Sequence, residues 1–274
     1  MFYKVLQFLV RFCLQIFCSK ITILNKSLLN TKGPVLIVAN HPNSFLDAII
    51  IAAFFKQKVY SLARGDAFKN PWQRLLLKPF NMIPIYRISE GKDNLQKNYN
   101  TFKQCENILA NNGILLIFIE GVCKNTHQLL PFKKGAARIV EVCLQQNIPL
   151  QIMPIALGYS SFNKIPLSVT VNLQRSFNLS DFKKTDMALH KILNLRCHES
   201  LNAAITIPTQ HHFGLIKTVI YLIGFPFFKL LNNFVLAKTR STVFYHSILF
   251  ASCFLLFVMM SAVLLLFFAL KLIF

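Results

Sequence analysis

The hydrophobic pattern divides the chain into three stretches. Between Gly33 and about Ser180, short apolar runs of strand length alternate with stretches of mixed polarity. Residues 34–39 (PVLIVA), 59–63, 114–119 (ILLIFI), 152–157 (IMPIAL) and 167–173 read as strands, being short and dominated by Val, Ile and Leu. Residues 46–55, 71–79, 95–111 and 135–146 read as helices. Continuous apolar strands need cover on both faces, so this order predicts an α/β domain with a mainly parallel sheet flanked by helices. Residues 181–210 turn polar and read as a helix followed by a linker.

Each end carries a different pattern. Residues 1–30 mix Phe, Leu and Ile with Lys4, Arg11, Lys20 and Lys26, and on a helix Lys4 and Arg11 share the polar side. Arg11 interrupts the apolar run and no small-residue cleavage site follows, which argues against a secretory signal. Two arrangements fit: an amphipathic helix lying in the membrane interface, or a helix packed on the following domain. At the other end, residues 241–270 contain no Lys, Arg, Asp or Glu and exceed the roughly 20 residues that span a bilayer, so they read as a transmembrane helix. Residues 213–237 are apolar but carry Lys217, Pro226 and Lys229, and either span, re-enter or lie in the interface. Lys238 and Arg240 favour the cytoplasmic side for the linker between them, which supports a single span. The expected organisation is an N-terminal helix at 1–30, an α/β domain at 31–212 and a membrane anchor of one or two helices at 213–274.

Composition sharpens the membrane reading. The 274 residues are 54% hydrophobic with 27 Phe, and 30 Lys plus Arg against 10 Asp plus Glu give a net charge of +20. Mean hydropathy is +0.47. A disordered chain needs low hydrophobicity, and a nucleic-acid binder gains nothing from so much apolar surface. An anionic lipid surface rewards both properties together, so phospholipids are the expected partner and nucleic acid is not. The seven Cys are odd in number and scattered without a Cys-x2-Cys pair, which signals neither a disulfide framework nor a zinc site.

The scarce acids direct attention to two loops. The first strand opens into Asn40-His41-Pro42-Asn43-Ser44-Phe45-Leu46-Asp47, a polar loop at a strand's carboxyl end, where open α/β sheets hold ligands. His41 and Asp47 suit an imidazole–carboxylate pair, in which the carboxylate fixes the tautomer and the other ring nitrogen takes a proton; a lone His followed by a helix-capping Asp has the same spacing. The run ILLIFI leads into Glu120-Gly121, then LLPFKKGAAR, where Lys133, Lys134 and Gly135 precede a helix N-terminus able to cradle an anion. No Walker spacing supports a nucleotide, and no Gly-x-Ser-x-Gly elbow supports a serine hydrolase. Cys123 has no base in its sequence context and reads as an inert thiol. His190, His198, His211 and His212 occupy polar and linker positions, and no metal is expected.

In order, Asn40-His41…Asp47, IPIYR at 83–87, FIEG at 118–121 with LLPFKKGAAR at 129–138, and IPLQIMPIALGY at 148–159 resemble the four blocks of the glycerolipid acyltransferases, the family of bacterial lysophosphatidic acid and glycerol-3-phosphate acyltransferases. The resemblance covers roughly residues 30–175. It implies a glycerol-phosphate acyltransferase-like fold and transfer of an acyl group from an acyl-CoA or acyl-carrier-protein thioester to a glycerol 3-phosphate or lysophosphatidate hydroxyl. No resident cofactor is implied. His41 would be the general base and Asp47 its orienting partner. Arg87, Glu120 and Gly121 would bind the glycerol phosphate, with Arg64, Lys133 and Lys134 as further phosphate or carrier contacts, and Pro154 would lie on the acyl-chain side. The chain departs from the usual pattern twice. Five residues, not four, separate His41 from Asp47, and Val122-Cys123 stand where Thr-Arg is commoner. A non-catalytic lipid-binding protein of the same fold, or an enzyme for another lipid acceptor, are the alternative readings.

Overall fold

A computed structural model of the chain describes residues 2–86, 93–178, 188–240 and 242–273. The elements run α1 (Phe2–Phe17), β1 (Cys18–Leu24), β2 (Val35–Ala39), α2 (Phe45–Phe54), β3 (Val59–Arg64), α3 (Pro71–Leu77), β4 (Met82–Ile85), α4 (Asp93–Ala110), β5 (Ile114–Phe118), α5 (Gly135–Gln145), β6 (Gln151–Tyr159), β7 (Leu167–Leu173), β8 (Phe177–Asn178), α6 (Leu189–Ala204), α7 (Leu215–Thr239) and α8 (Tyr245–Ile273). The strands form one sheet in the order β1-β7-β6-β2-β5-β3-β4, with β8 also on β6. All pairings are parallel except those of β6 with β7 and β8. The expected mainly parallel α/β sheet is the architecture observed.

The two central strands explain why. Every residue of β2 and β5 is buried, and because side chains alternate across a strand, each run feeds two cores. Val35, Ile37, Ala39 and Leu116 join the core under α1, α2 and α8. Leu36, Val38, Leu115 and Ile117 join the one under α4, α5 and α6. Pro154 sits in β6, inside the sheet, where a missing N–H ordinarily breaks a ladder. Its carbonyl accepts from Gln174 N–H at 2.9 Å on the β7 side. The absent N–H falls on that same edge, at the end of the stretch of β6 paired with β7, so only the return bond to Gln174 O is missing and the pairing with β2 is untouched.

The N-terminal segment departs from expectation. Only Phe2–Phe17 is helical, and Cys18–Leu24 is an edge strand parallel to β7. The polar stripe of α1 is also not its outer side. Gln7 Nε2 donates to the carbonyls of Ala52 at 2.9 Å and Phe55 at 2.8 Å. Arg11 donates to Ala53 O and Lys4 to Lys56 O. Gln7 and Arg11 thus serve carbonyls that the last turn of α2 leaves without partners, Lys4 takes one just beyond it, and the cations meet the negative dipole end. Phe2, Val5, Phe8 and Phe12 are left exposed on α1.

Apart from Asp47, α2 is apolar around its whole circumference, as a helix enclosed on all sides should be. It packs against α1, β3 and α8, and Ala48, Ile49, Ile50, Ile51 and Ala53 are all buried. α8 begins inside the domain, with Tyr245, His246, Ser247, Leu249, Phe250 and Phe254 buried, and then leaves it, with Met259, Met260, Val263, Leu266 and Phe267 exposed. The portion from Leu255 to Ile273 rises roughly 28 Å at about 1.5 Å per residue, close to the roughly 30 Å hydrocarbon core of a bilayer. Among the described residues α8 is the one helix long and apolar enough to cross a membrane. α7 is a single helix running through Pro226.

Candidate active site

Three neighbouring strands deliver the candidate residues to one end of the sheet. β2 ends at Ala39 beside Phe118 of β5 and Ile155 of β6. Asn40-His41 therefore leaves the sheet between the loop carrying Glu120 and the last residues of β6. Asn40 prolongs the pairing beyond β2: its side-chain Nδ2 donates to Leu157 O at 2.9 Å, and its side-chain Oδ1 accepts from Leu157 N–H at 2.7 Å.

His41 Nδ1 and Asp47 Oδ2 are 2.8 Å apart. Of the two arrangements the spacing allowed, the paired one is present. The same Oδ2 accepts from Asn43 N–H at 2.8 Å, and Oδ1 accepts from the Tyr159 hydroxyl at 2.5 Å. The Asp47 side chain is fully buried whereas the His41 side chain keeps 18% exposure. A buried carboxylate needs this number of donors. Burial first, and then the adjacent Asp47 charge, raise the Tyr159 phenol well above its ordinary value, so it remains a donor. The His41 ring lies flat on Phe118, with centroids 3.8 Å apart and planes 8° apart. Carboxylate and aromatic face together fix the ring, and its Nε2 is the nitrogen left for proton transfer.

Glu120 is turned inward, at 2% exposure. Its Oε2 accepts from the His41 N–H and its Oε1 from the Leu130 N–H, both at 3.3 Å. Burial pushes its carboxyl above the usual range, against the lowering effect of those two N–H groups. The carboxylate thus ties the His41 loop to the loop leading into α5. Gly121 follows with φ of +63°, in the left-handed region, and its N–H donates to Phe118 O at 3.0 Å. The chain then returns, and Lys133 N–H donates to Ile119 O at 2.8 Å. Lys133 and Lys134 are exposed, with Lys134 immediately preceding α5.

The remaining candidates lie farther out. Arg64 ends β3, on the far side of β5 from β2. It is more than half exposed and pairs with Asp66 at 2.5 Å. Arg87 falls outside the described residues; the preceding Tyr86 is held by Asn98, which accepts from its N–H at 2.8 Å and donates to its carbonyl at 2.7 Å. Pro154 is buried within β6. Cys123 reaches back to the first loop, where Ser44 N–H donates to its sulfur at 2.9 Å, and burial with the Asp47 charge pushes its thiol up to about 12. Among the described residues no group of three His, Cys, Asp or Glu side chains is placed to hold a metal ion.

Sequence reasoning assigned no role to Asn40 or Tyr159. Tyr159 stands at the end of the fourth block, but its contact with Asp47 depends on β6 lying beside β2. The arrangement presents an oriented, partly exposed imidazole backed by a buried carboxylate, which is suited to accept a proton from a hydroxyl.

A family model described as Acyltransferase matches residues 20–158, just over half the chain. No functionally curated protein matches by sequence. Among solved structures, the fold is similar to that of the 1-acyl-sn-glycerophosphate (LPA) acyltransferase PlsC from Thermotoga maritima. The TM-score is 0.52 at 14% identity, covering 76% of this chain and 81% of that one.

Proposed function

The chain belongs to the acyltransferase family, and from that premise we propose that it is a membrane-bound enzyme transferring a fatty acyl group from an acyl-CoA or acyl-carrier-protein thioester to a hydroxyl of glycerol 3-phosphate or lysophosphatidate. The observation that carries this reading is the His41–Asp47 pair, 2.8 Å apart, with the carboxylate buried and the imidazole partly exposed. His41 Nε2 takes the acceptor hydroxyl proton as the oxygen attacks the thioester carbonyl. The tetrahedral intermediate collapses, the carbon–sulfur bond breaks, and the imidazolium returns the proton to the departing thiolate. Asp47 stabilises the imidazolium and fixes its tautomer throughout. Catalysis otherwise comes from holding two substrates together, and no covalent acyl-enzyme is needed.

Exposed Lys133 and Lys134 at the N-terminus of α5 support an anionic contact, to the acceptor phosphate or to the donor carrier. Arg64, Arg87, Glu120 and Gly121 complete the proposed acceptor side, Glu120 acting through the backbone it ties down. Pro154 marks the acyl-chain side. The apolar outer face of α1 and the exposed length of α8 support residence in the membrane, with the catalytic domain on the cytoplasmic side.

The test is acyl transfer by the purified chain in phospholipid vesicles, offering glycerol 3-phosphate and lysophosphatidate with both donors and identifying products by mass spectrometry. His41→Ala is expected to lower the rate by roughly 10²–10⁴-fold. Undiminished transfer by that variant would remove the reading. A product from a different lipid acceptor would favour the second reading, for which the observation is Val122-Cys123 with the thiol turned inward toward Ser44.

A further inference from the structure

The loop between His41 and Asp47 is held from a distant part of the chain. Ser44 has φ 54° and ψ −144°, a conformation L-residues avoid, and although it stands at the N-cap of α2 its hydroxyl makes no cap bond. Such a residue persists only where its surroundings over-determine it. Here they do so through two consecutive residues in the first turn of α8. The Ser247 hydroxyl donates to Asn43 O at 2.9 Å and accepts from Leu46 N–H at 3.1 Å. It thereby brackets Ser44 on both sides and supplies the N-terminal acceptor that Ser44 does not provide for α2. His246 Nδ1 accepts from the Asn43 side-chain amide at 3.0 Å, and its Nε2 donates to Lys164 O at 3.1 Å. That assignment satisfies both ring nitrogens of a neutral imidazole. Asn43, Ser44, His246 and Ser247 are all buried.

These bonds act on the same backbone that presents the catalytic pair. Asn43 N–H donates to Asp47 Oδ2 while Asn43 O is held by Ser247. We infer that His246 and Ser247 are positioning residues for acyl transfer: the first turn of the membrane helix clasps the His41–Asp47 loop and keeps its strained turn in the reactive geometry. This rests on His41 acting as the base in the reaction proposed above. It gives α8 a second task beside anchoring, because the helix whose exposed length fits a bilayer also supplies the cap of α2. Ordinary packing would be served by apolar residues at 246 and 247, whereas a buried imidazole and a buried hydroxyl, each with partners on the loop, are what a clasp requires.

The experiment uses the full chain in phosphatidylethanolamine–phosphatidylglycerol vesicles, with acyl-CoA as donor and lysophosphatidate or glycerol 3-phosphate as acceptor, and compares wild type, His41→Ala, Ser247→Ala, Ser247→Thr and His246→Phe. Ser247→Ala is expected to lower kcat at least tenfold while both KM values stay within twofold. Ser247→Thr, which keeps the hydroxyl, is expected to recover most of kcat. Where Ser247→Ala yields no folded protein, His246→Phe decides by the same split, since it removes the Asn43 bond and leaves the backbone pair. A kcat within twofold of wild type in the folded variant, or a loss that Ser247→Thr does not recover, overturns the clasp. Absence of transfer in wild type, or its survival in His41→Ala, overturns instead the reaction on which the clasp rests.

Discussion

The Tyr159 hydroxyl donates to Oδ1 of Asp47 at 2.5 Å, on the oxygen opposite the one that holds His41. Among the described residues the carboxylate has three donors, His41, Asn43 and Tyr159, and no exposure through which water could replace one. Tyr159→Phe deletes one donor and leaves the ring in place. The expected outcome is a loss of about 1–3 kcal/mol in stability, the range for removing a bond to a buried charge. A fall in kcat of about tenfold should accompany it, with KM little changed, because the carboxylate loses the bond that fixes it against β6. Thermal melts and steady-state kinetics on the same preparation check both.

Glu120 makes stability depend on pH in a defined direction. Burial raises its carboxyl above the ordinary value, so the folded chain holds this proton more tightly than the unfolded chain does. Its contribution is therefore full below the ordinary carboxylate range and is lost as pH rises through the folded value. Glu120→Gln removes that pH dependence. It also leaves one of the His41 and Leu130 N–H groups facing an NH2, at a cost of about 1–3 kcal/mol. Melting temperatures measured from pH 4 to 7 should show the wild-type midpoint losing this contribution with rising pH and the variant lying lower without it. A variant with the same pH dependence as wild type would place the titration elsewhere.

Cys123 is expected to be unreactive, although it touches the loop between His41 and Asp47. With its thiol pushed up to about 12, almost none is thiolate at pH 8. Iodoacetamide should modify it slowly, at a rate climbing about tenfold per pH unit. Cys123→Ser keeps an acceptor for Ser44 N–H and is expected to retain activity within about threefold. Rapid alkylation at neutral pH with matching loss of activity would point to a thiolate and a different chemistry.

Much of this arrangement can be read along the chain, and the rest fails for identifiable reasons. β2 and β5 announce themselves as uninterrupted apolar runs because both faces are covered. His41 and Asp47 are legible because their pairing is local, six positions apart. β1 is not, since an edge strand is only partly buried and Ser19, Lys20 and Thr22 dilute its pattern. The stripe of Lys4, Gln7 and Arg11 misleads for a different reason. Polar residues on an amphipathic helix ordinarily face water, and here they bond carbonyls at and just beyond the end of α2, roughly 45 residues away along the chain. Tyr159 and Ser247 reach the site through strand order and helix docking, neither of which a local window contains.

Gly121 allows the position of Lys133 to be tested apart from its charge. With φ of +63°, a Cβ at this position costs roughly 1–2 kcal/mol whatever surrounds it. It would also stand 2.9 Å from Lys133 Cγ, so the Lys133 side chain has to move. Gly121→Ala is therefore expected to lower stability and, if Lys133 grips an anionic substrate, to raise the KM for that substrate. In a Lys133→Ala background the Cγ is absent. The backbone cost remains there while the KM effect of Gly121→Ala should vanish, a non-additivity expected only for neighbours that act through one another. The four proteins of this double-mutant cycle, measured by thermal melts and by donor and acceptor titrations, separate the two effects. A KM increase that persists without Lys133 would assign it to the Glu120–Gly121 backbone instead.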